Sequence, residues 1–242
     1  MRKLIAIMIA SLWTYSSYAQ KAAGLSPYTW TREDIFAGLI GGDYERLNVG
    51  MKKIEDLLKQ NPNDTGAIAM KAAGLSALAI RDLGKGDTAA FDKQYGEAIR
   101  LLDEAYKTDP KDVGVNAVYG GVTLYNYGKL PEQRRSHALE MARRSYNTLF
   151  TLQQPELDNL PLHLKGEVLA GVAEAEFRSG NKQQAEGYLK RIVETMPNTA
   201  YAQRAQQWIS NPQSVTATNR LICQSCHDAG RLSNVLAGKR GQ

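Results

Sequence analysis

Residues 180–197 read GNKQQAEGYLKRIVETMP, and the recurrence of its pattern decides the fold. Ala185, Leu189 and Ile192 stand 12, 8 and 5 residues before Pro197, on one side of a helix drawn through the segment. Proline then stops that helix. The same three distances recur ahead of two other prolines: Ala98, Leu102 and Ala105 before Pro110, and Gly50, Ile54 and Leu57 before Pro62. A small residue at a helix crossing lets two backbones approach, and larger apolar residues fill the grooves beside it. Each segment therefore predicts an amphipathic helix packed on a neighbour through its small residue.

Outward from these segments, the chain keeps helical periodicity from about Thr31 to Ile209. Ala, Leu, Glu, Gln, Lys and Arg fill the intervals between breakers, while Val, Ile and Thr are scattered singly, so helix is favoured throughout. Asn61-Pro62-Asn63, Asp109-Pro110-Lys111 and Met196-Pro197-Asn198 each end one helix and precede another. The expected class is all-α. Gly66 to Leu83 is the most apolar stretch of this body, but Lys71, Arg81 and Asp82 interrupt it, which predicts a buried helix and not a membrane span.

The spacing of small and apolar residues before each proline resembles the second helix of a tetratricopeptide repeat. That resemblance implies an α-solenoid of stacked helix pairs, about eight or nine helices over residues 31–210. One pair cannot bury its own apolar face, so pairs stack and share a core. It also implies an extended surface able to dock a protein partner. The prolines lie 48 and 87 residues apart, not at multiples of the usual ~34, and the aromatic residue expected early in each first helix is missing. Gly84-Lys85-Gly86-Asp87 and Gln153-Gln154-Pro155 are then insertions that lengthen loops or helices. An irregular helical bundle is the alternative architecture.

The amino terminus predicts export. Arg2 and Lys3 precede an apolar run, Leu4 to Trp13, and Ser17-Tyr18-Ala19 offers small residues for cleavage before Gln20. Residues 1–19 are read as a signal peptide, residues 20–30 as a short linker, and the destination as periplasmic or otherwise outside the cytoplasm. Without Arg2 and Lys3 the formal charge falls from +5 to +3. That balance gives no reason to expect nucleic acid as a partner. Two cysteines in 242 residues cannot staple a fold, so stability must come from packing.

Catalytic signatures are absent from the body: there is no H-E-x-x-H, no phosphate loop, and Gly74-Leu75-Ser76-Ala77-Leu78 lacks the second glycine of a nucleophile elbow. The carboxylate pairs Glu33-Asp34 and Asp103-Glu104 are expected on solvated helix surface. Arg134, Arg135, Arg143 and Arg144 form either a docking face for an acidic partner or an ordinary polar face.

Chemistry concentrates after Asn211-Pro212. Residues 211–220 read as a polar linker, and residues 221–242 as a tail that opens with LICQSCH. Cys223, Cys226 and His227 form a C-x-x-C-H run, which resembles the haem-attachment motif of c-type cytochromes. The resemblance implies one covalent haem c, with Cys223 and Cys226 forming thioethers to the two vinyl groups and His227 ligating the iron. It further favours an electron-transfer accessory, with a redox protein as the docked partner, over an enzyme. A thioredoxin-type dithiol, a local disulfide and a zinc site compete for the same residues. A partner-binding scaffold with no redox task and a five-coordinate haem sensor or peroxidase are the corresponding alternative roles. Only fifteen residues follow His227, with no methionine, histidine or aromatic among them. A second axial ligand would therefore come from the body, where His137, His163, Met141 and Met196 are the candidates. Arg220 and Arg231 are candidates for the haem propionates.

Overall fold

The structure is a computed structural model that describes residues 29–223, with side chains from residue 31. Residues 1–19, read above as a signal peptide, most of the expected linker 20–30, Cys226, His227 and the rest of the tail lie outside the described residues. Nine α-helices and three short 3₁₀ turns account for the described chain, and no strand occurs in it. The helices are α1 (Thr29–Gly41), α2 (Tyr44–Gln60), α3 (Thr65–Gly84), α4 (Thr88–Thr108), α5 (Val113–Asn126), α6 (Glu132–Gln153), α7 (Leu162–Arg178), α8 (Lys182–Thr195) and α9 (Ala200–Ser210).

Aspartates start many of these helices. Asp43, Asp64, Asp87 and Asp112 each accept the backbone N–H three residues on, at 2.8–3.1 Å, and Thr199 does the same for Ala202. Each satisfies a donor that the first helical turn would otherwise leave orphaned. The α3–α4 and α7–α8 turns are closed by Gly86 and Gly180, at φ of 82° and 86°. Asp87 N–H returns to Asp82 C=O and Asn181 N–H to Glu176 C=O, so both helices end in a Schellman turn. Gly84 to Asp87, read as an insertion, is this hairpin turn. The second expected insertion is a 3₁₀ turn, Gln154–Asn159.

These short turns make antiparallel hairpins of α1/α2, α3/α4, α5/α6 and α7/α8, with α9 packing on α8 and α7. Successive odd-numbered helices also touch: α1 on α3, α3 on α5, α5 on α7. The odd helices thus form one continuous row, and α2, α4, α6 and α8 cover it. Position in the row explains composition. The even helices bury one stripe, which in α4 and α8 includes Ala98, Leu102, Ala105, Ala185, Leu189 and Ile192, the residues of the proline-referenced pattern. The odd helices are enclosed on several sides and are rich in alanine and glycine; α3 buries eleven of its twenty residues.

One side chain locks three helices. Tyr146 of α6 is 3 % exposed and fills the space between Gly120 of α5 and Gly171 of α7. A Cβ built on Gly120 would come within 2.9 Å of its ring, and one on Gly171 would overlap it. The largest core cluster runs from Ile35 in α1 through Tyr146 to Leu221 and Ile222 beyond α9.

Asp34, expected on the solvated surface, is instead buried. Arg46 and Lys53 from α2 reach it at 2.7 and 2.9 Å, so its charge is matched between two helices. The basic run of α6 is engaged internally: Arg134 with Asp92, Arg135 with the Leu130 carbonyl, Arg143 with Glu176, and Arg144 with Asp103 and the Tyr106 ring.

Glu176 of α7 is fully buried beneath α6. Burial alone would raise its carboxyl, but hydrogen bonds from Asn147 (2.6 Å), Asn181 (2.5 Å) and Arg143 (3.0 Å) outweigh it and hold the group below its ordinary value of 4.5. A depressed native value contributes stability that is present above 4.5 and lost as pH falls through the native value. Glu176→Gln is therefore expected to cost about 1.5–3 kcal/mol at pH 7, the scale of hydrogen bonds to a charged group. Denaturant titrations at a series of pH values should show that gap closing on the acid side. A gap independent of pH would mean that the charge contributes nothing.

Candidate functional site

After α9 the chain turns at Pro212–Ser214 and runs back along α7. Its contacts follow one stripe of that helix from C- to N-terminal end, because residues seven and four apart share a helix face. Arg178 donates to the carbonyls of Thr216 and Asn219. Glu174 accepts the backbone N–H groups of Leu221 (2.6 Å) and Ile222 (3.4 Å). Glu167 accepts the Cys223 N–H at 3.1 Å and its thiol at 3.6 Å. The expected linker is thus a segment bound to the body along most of its length.

Charge and shape fix this segment. Glu174 and Arg178 pair at 2.8 Å, with side chains 0 % and 6 % exposed. Burial pushes the Glu174 carboxyl above its ordinary range, against the pull of Arg178 and the two amides. Arg178 also lies between the rings of Tyr127 and Trp208. Arg220 stacks 4.1 Å from the Tyr125 ring and donates to the Tyr125 carbonyl, so part of its donor capacity is already spent on the body. Gly128 leaves the room that the Ala217 carbonyl occupies; a Cβ there would overlap it. Leu221 and Ile222 are fully buried in the main core.

Cys223 is where this anchored segment meets the C-x-x-C-H run. Its thiol is free and its backbone is left-handed, at φ 57°, a conformation uncommon outside glycine. Desolvation, then the Glu167 and Glu174 carboxylates, push the thiol well above its ordinary value. It is a protonated donor at neutral pH and a weak nucleophile. Glu167 also accepts from Tyr201 of α9 at 2.6 Å, and the Tyr201 oxygen lies 3.3 Å from His163 Nδ1. Cys223, Glu167, Tyr201 and His163 therefore form one hydrogen-bonded chain.

No known protein family, curated protein or solved structure matches this chain.

Of the three residues of the motif, the described chain contains Cys223; Cys226 and His227 lie beyond it. Of the four candidate second ligands, the structure brings only His163 into the hydrogen-bonded chain of Cys223. Met141 and Met196 are 6 % and 2 % exposed within the core, and His137 is exposed on α6. No group of three metal-ligating side chains converges among the described residues. At this end of α7 the described residues bring together a thiol that retains its proton, an imidazole joined to it through Tyr201 and Glu167, and two exposed leucines. Leu162 and Leu164 are 54 % and 43 % exposed. The motif itself was legible in sequence. Glu167, Glu174, Arg178 and Tyr201 were not, since their partners lie 34 to 56 residues away.

Proposed function

We propose that the protein is an exported, tetratricopeptide-like solenoid that carries one haem c on Cys223, Cys226 and His227 and serves as a redox accessory to a docked protein partner. The observation that carries this reading is the anchoring of Cys223. Leu221 and Ile222 are sunk in the core and Cys223 is bonded to Glu167, so the C-x-x-C-H run begins at a fixed place on the helical body. An electron carrier needs such a fixed position, because a group on a loose tether has no defined distance to its partner. The repeated hairpins and the continuous odd-helix row support the solenoid reading, in which neighbours share a core and an extended face remains for docking. Export fits covalent attachment of haem outside the cytoplasm.

In this reading Cys223 and Cys226 would hold the haem covalently through their sulfurs, and His227 would hold its iron through the imidazole. When bound, the haem supplies a one-electron iron couple whose potential follows its ligands and burial. Glu174 and Arg178 hold the attachment segment on α7, and Leu221 and Ile222 keep water from its inner side.

Mass spectrometry of full-length protein from a host able to attach c-type haem tests this directly. The expected product has lost residues 1–19 and gained one haem, and its Soret band survives denaturation. Cys226→Ala should lose at least one thioether and much of the haem. A processed, native protein with no added mass would overturn the proposal and leave a partner-binding helical scaffold with a dithiol tail.

A further inference from the structure

The segment that returns along α7 brings a second cation to a place where one already stands. Tyr125, near the end of α5 and 7 % exposed, has Lys129 Nζ at 4.3 Å and the Arg220 guanidinium at 4.1 Å from its ring centroid. We infer that Lys129 and Arg220 form a binding site for an oxyanion, a carboxylate or a phosphate, beside that ring. The site stands on these residues alone and does not depend on the haem reading.

Three observations carry it. The first is position. Lys129 closes the 3₁₀ turn Tyr127–Lys129 that follows α5, and Arg220 arrives from 95 positions after Tyr125. Arg220 donates to the Tyr125 carbonyl at 3.2 Å, and its own carbonyl accepts from Arg204 at 3.5 Å. Both cations are thus placed before any ligand arrives, which lowers the cost of binding. The second is charge. Among the described residues no carboxylate pairs with Lys129 or Arg220, whereas Arg81, Arg143 and Arg178 each have one. The tyrosine ring offers the two cations only its quadrupole. Lost hydration, then the Arg220 charge, push the Lys129 ammonium down to about 8. A negative group beside both would offset their mutual repulsion. The third is donor capacity. Lys129 has three N–H groups and Arg220 five, of which one is committed to Tyr125. A guanidinium fork and an ammonium suit the oxygens of a carboxylate or phosphate, and Lys129 is exposed, so a ligand reaches them from solvent.

The test titrates the full chain calorimetrically, at pH 7 and constant ionic strength, with acetate, inorganic phosphate or a peptide of ten glutamates. Wild type is expected to bind at least one of these probes saturably. Lys129→Gln should weaken that binding at least roughly tenfold, the scale of one charge-assisted hydrogen bond. Arg220→Gln should do the same, and Arg220→Lys should retain part of the affinity. Lys129 is exposed, so its variant keeps the core intact. Lys93→Gln, exposed on α4, is the control and should bind as wild type. Acetate or phosphate binding that needs Lys129 identifies a free oxyanion as the ligand. Binding of the glutamate peptide alone, again through Lys129, identifies the side-chain carboxylates of a docked protein. Three results overturn the site and leave the haem reading standing: no saturable binding of any probe, binding that either glutamine variant at 129 or 220 leaves unchanged, or an equal loss in Lys93→Gln.

Discussion

Glu174→Ala should lose about 3–5 kcal/mol of stability, the scale on which removing one member of a buried ion pair is felt. The side chain is fully buried, and its carboxylate answers three donors: the Arg178 guanidinium and the amides of Leu221 and Ile222. Alanine leaves a buried guanidinium without its counter-charge and two interior N–H groups without acceptors. The molecule can relieve this only by letting the tail go, which exposes Leu221 and Ile222. Two readouts should therefore move together: the denaturation midpoint, and hydrogen exchange at the amides of residues 221 and 222. Glu174→Gln keeps the size and one acceptor oxygen and should fall between. If the alanine variant stayed within about 1 kcal/mol of wild type with both amides still protected, the carboxylate would not be what holds the tail.

Tyr146→Ala should be comparably damaging, at about 3–5 kcal/mol, as for other large aromatic side chains truncated in cores. Its ring spans α5, α6 and α7, so the void opens where three helices converge. The same geometry predicts a dependence between positions. Gly171→Ala alone should cost at least about 1–3 kcal/mol by overpacking against the ring. In the Tyr146→Ala background the added methyl enters empty space and should cost little or become favourable. A double-mutant cycle measures this coupling directly. Additive costs would contradict the contact.

Much of the helical layout was legible because its signals are local. Prolines and their neighbours mark the ends of α2, α4 and α8, and the residues 12, 8 and 5 positions before each proline are mostly buried. The enclosed helices were harder to read in detail. When α3 and α7 are covered on several sides, apolar residues no longer fall in a single stripe, and periodicity does not say which neighbour each face meets. Charged residues misled for a related reason. Asp34 sits in a polar-looking stretch, and only the fold reveals that Arg46 and Lys53 close over it. Residues 211–220 look like a linker because they are small and polar. What binds them is largely their carbonyls, which every sequence possesses, and the donor is Arg178 on a helix 38 and 41 residues earlier.

The grip of α7 on the tail also orders events in time. The acceptor oxygens of Glu174 precede the amides they serve by 47 and 48 residues. A ribosome delivers α7 first, and until Leu221 and Ile222 emerge, a carboxylate destined for the interior lacks its last donors. A chain cut short before Leu221 keeps that vacancy permanently and stays loose at the α7 end, where proteases find openings. Arrival of two aliphatic residues is the latch that closes this end of the helical body.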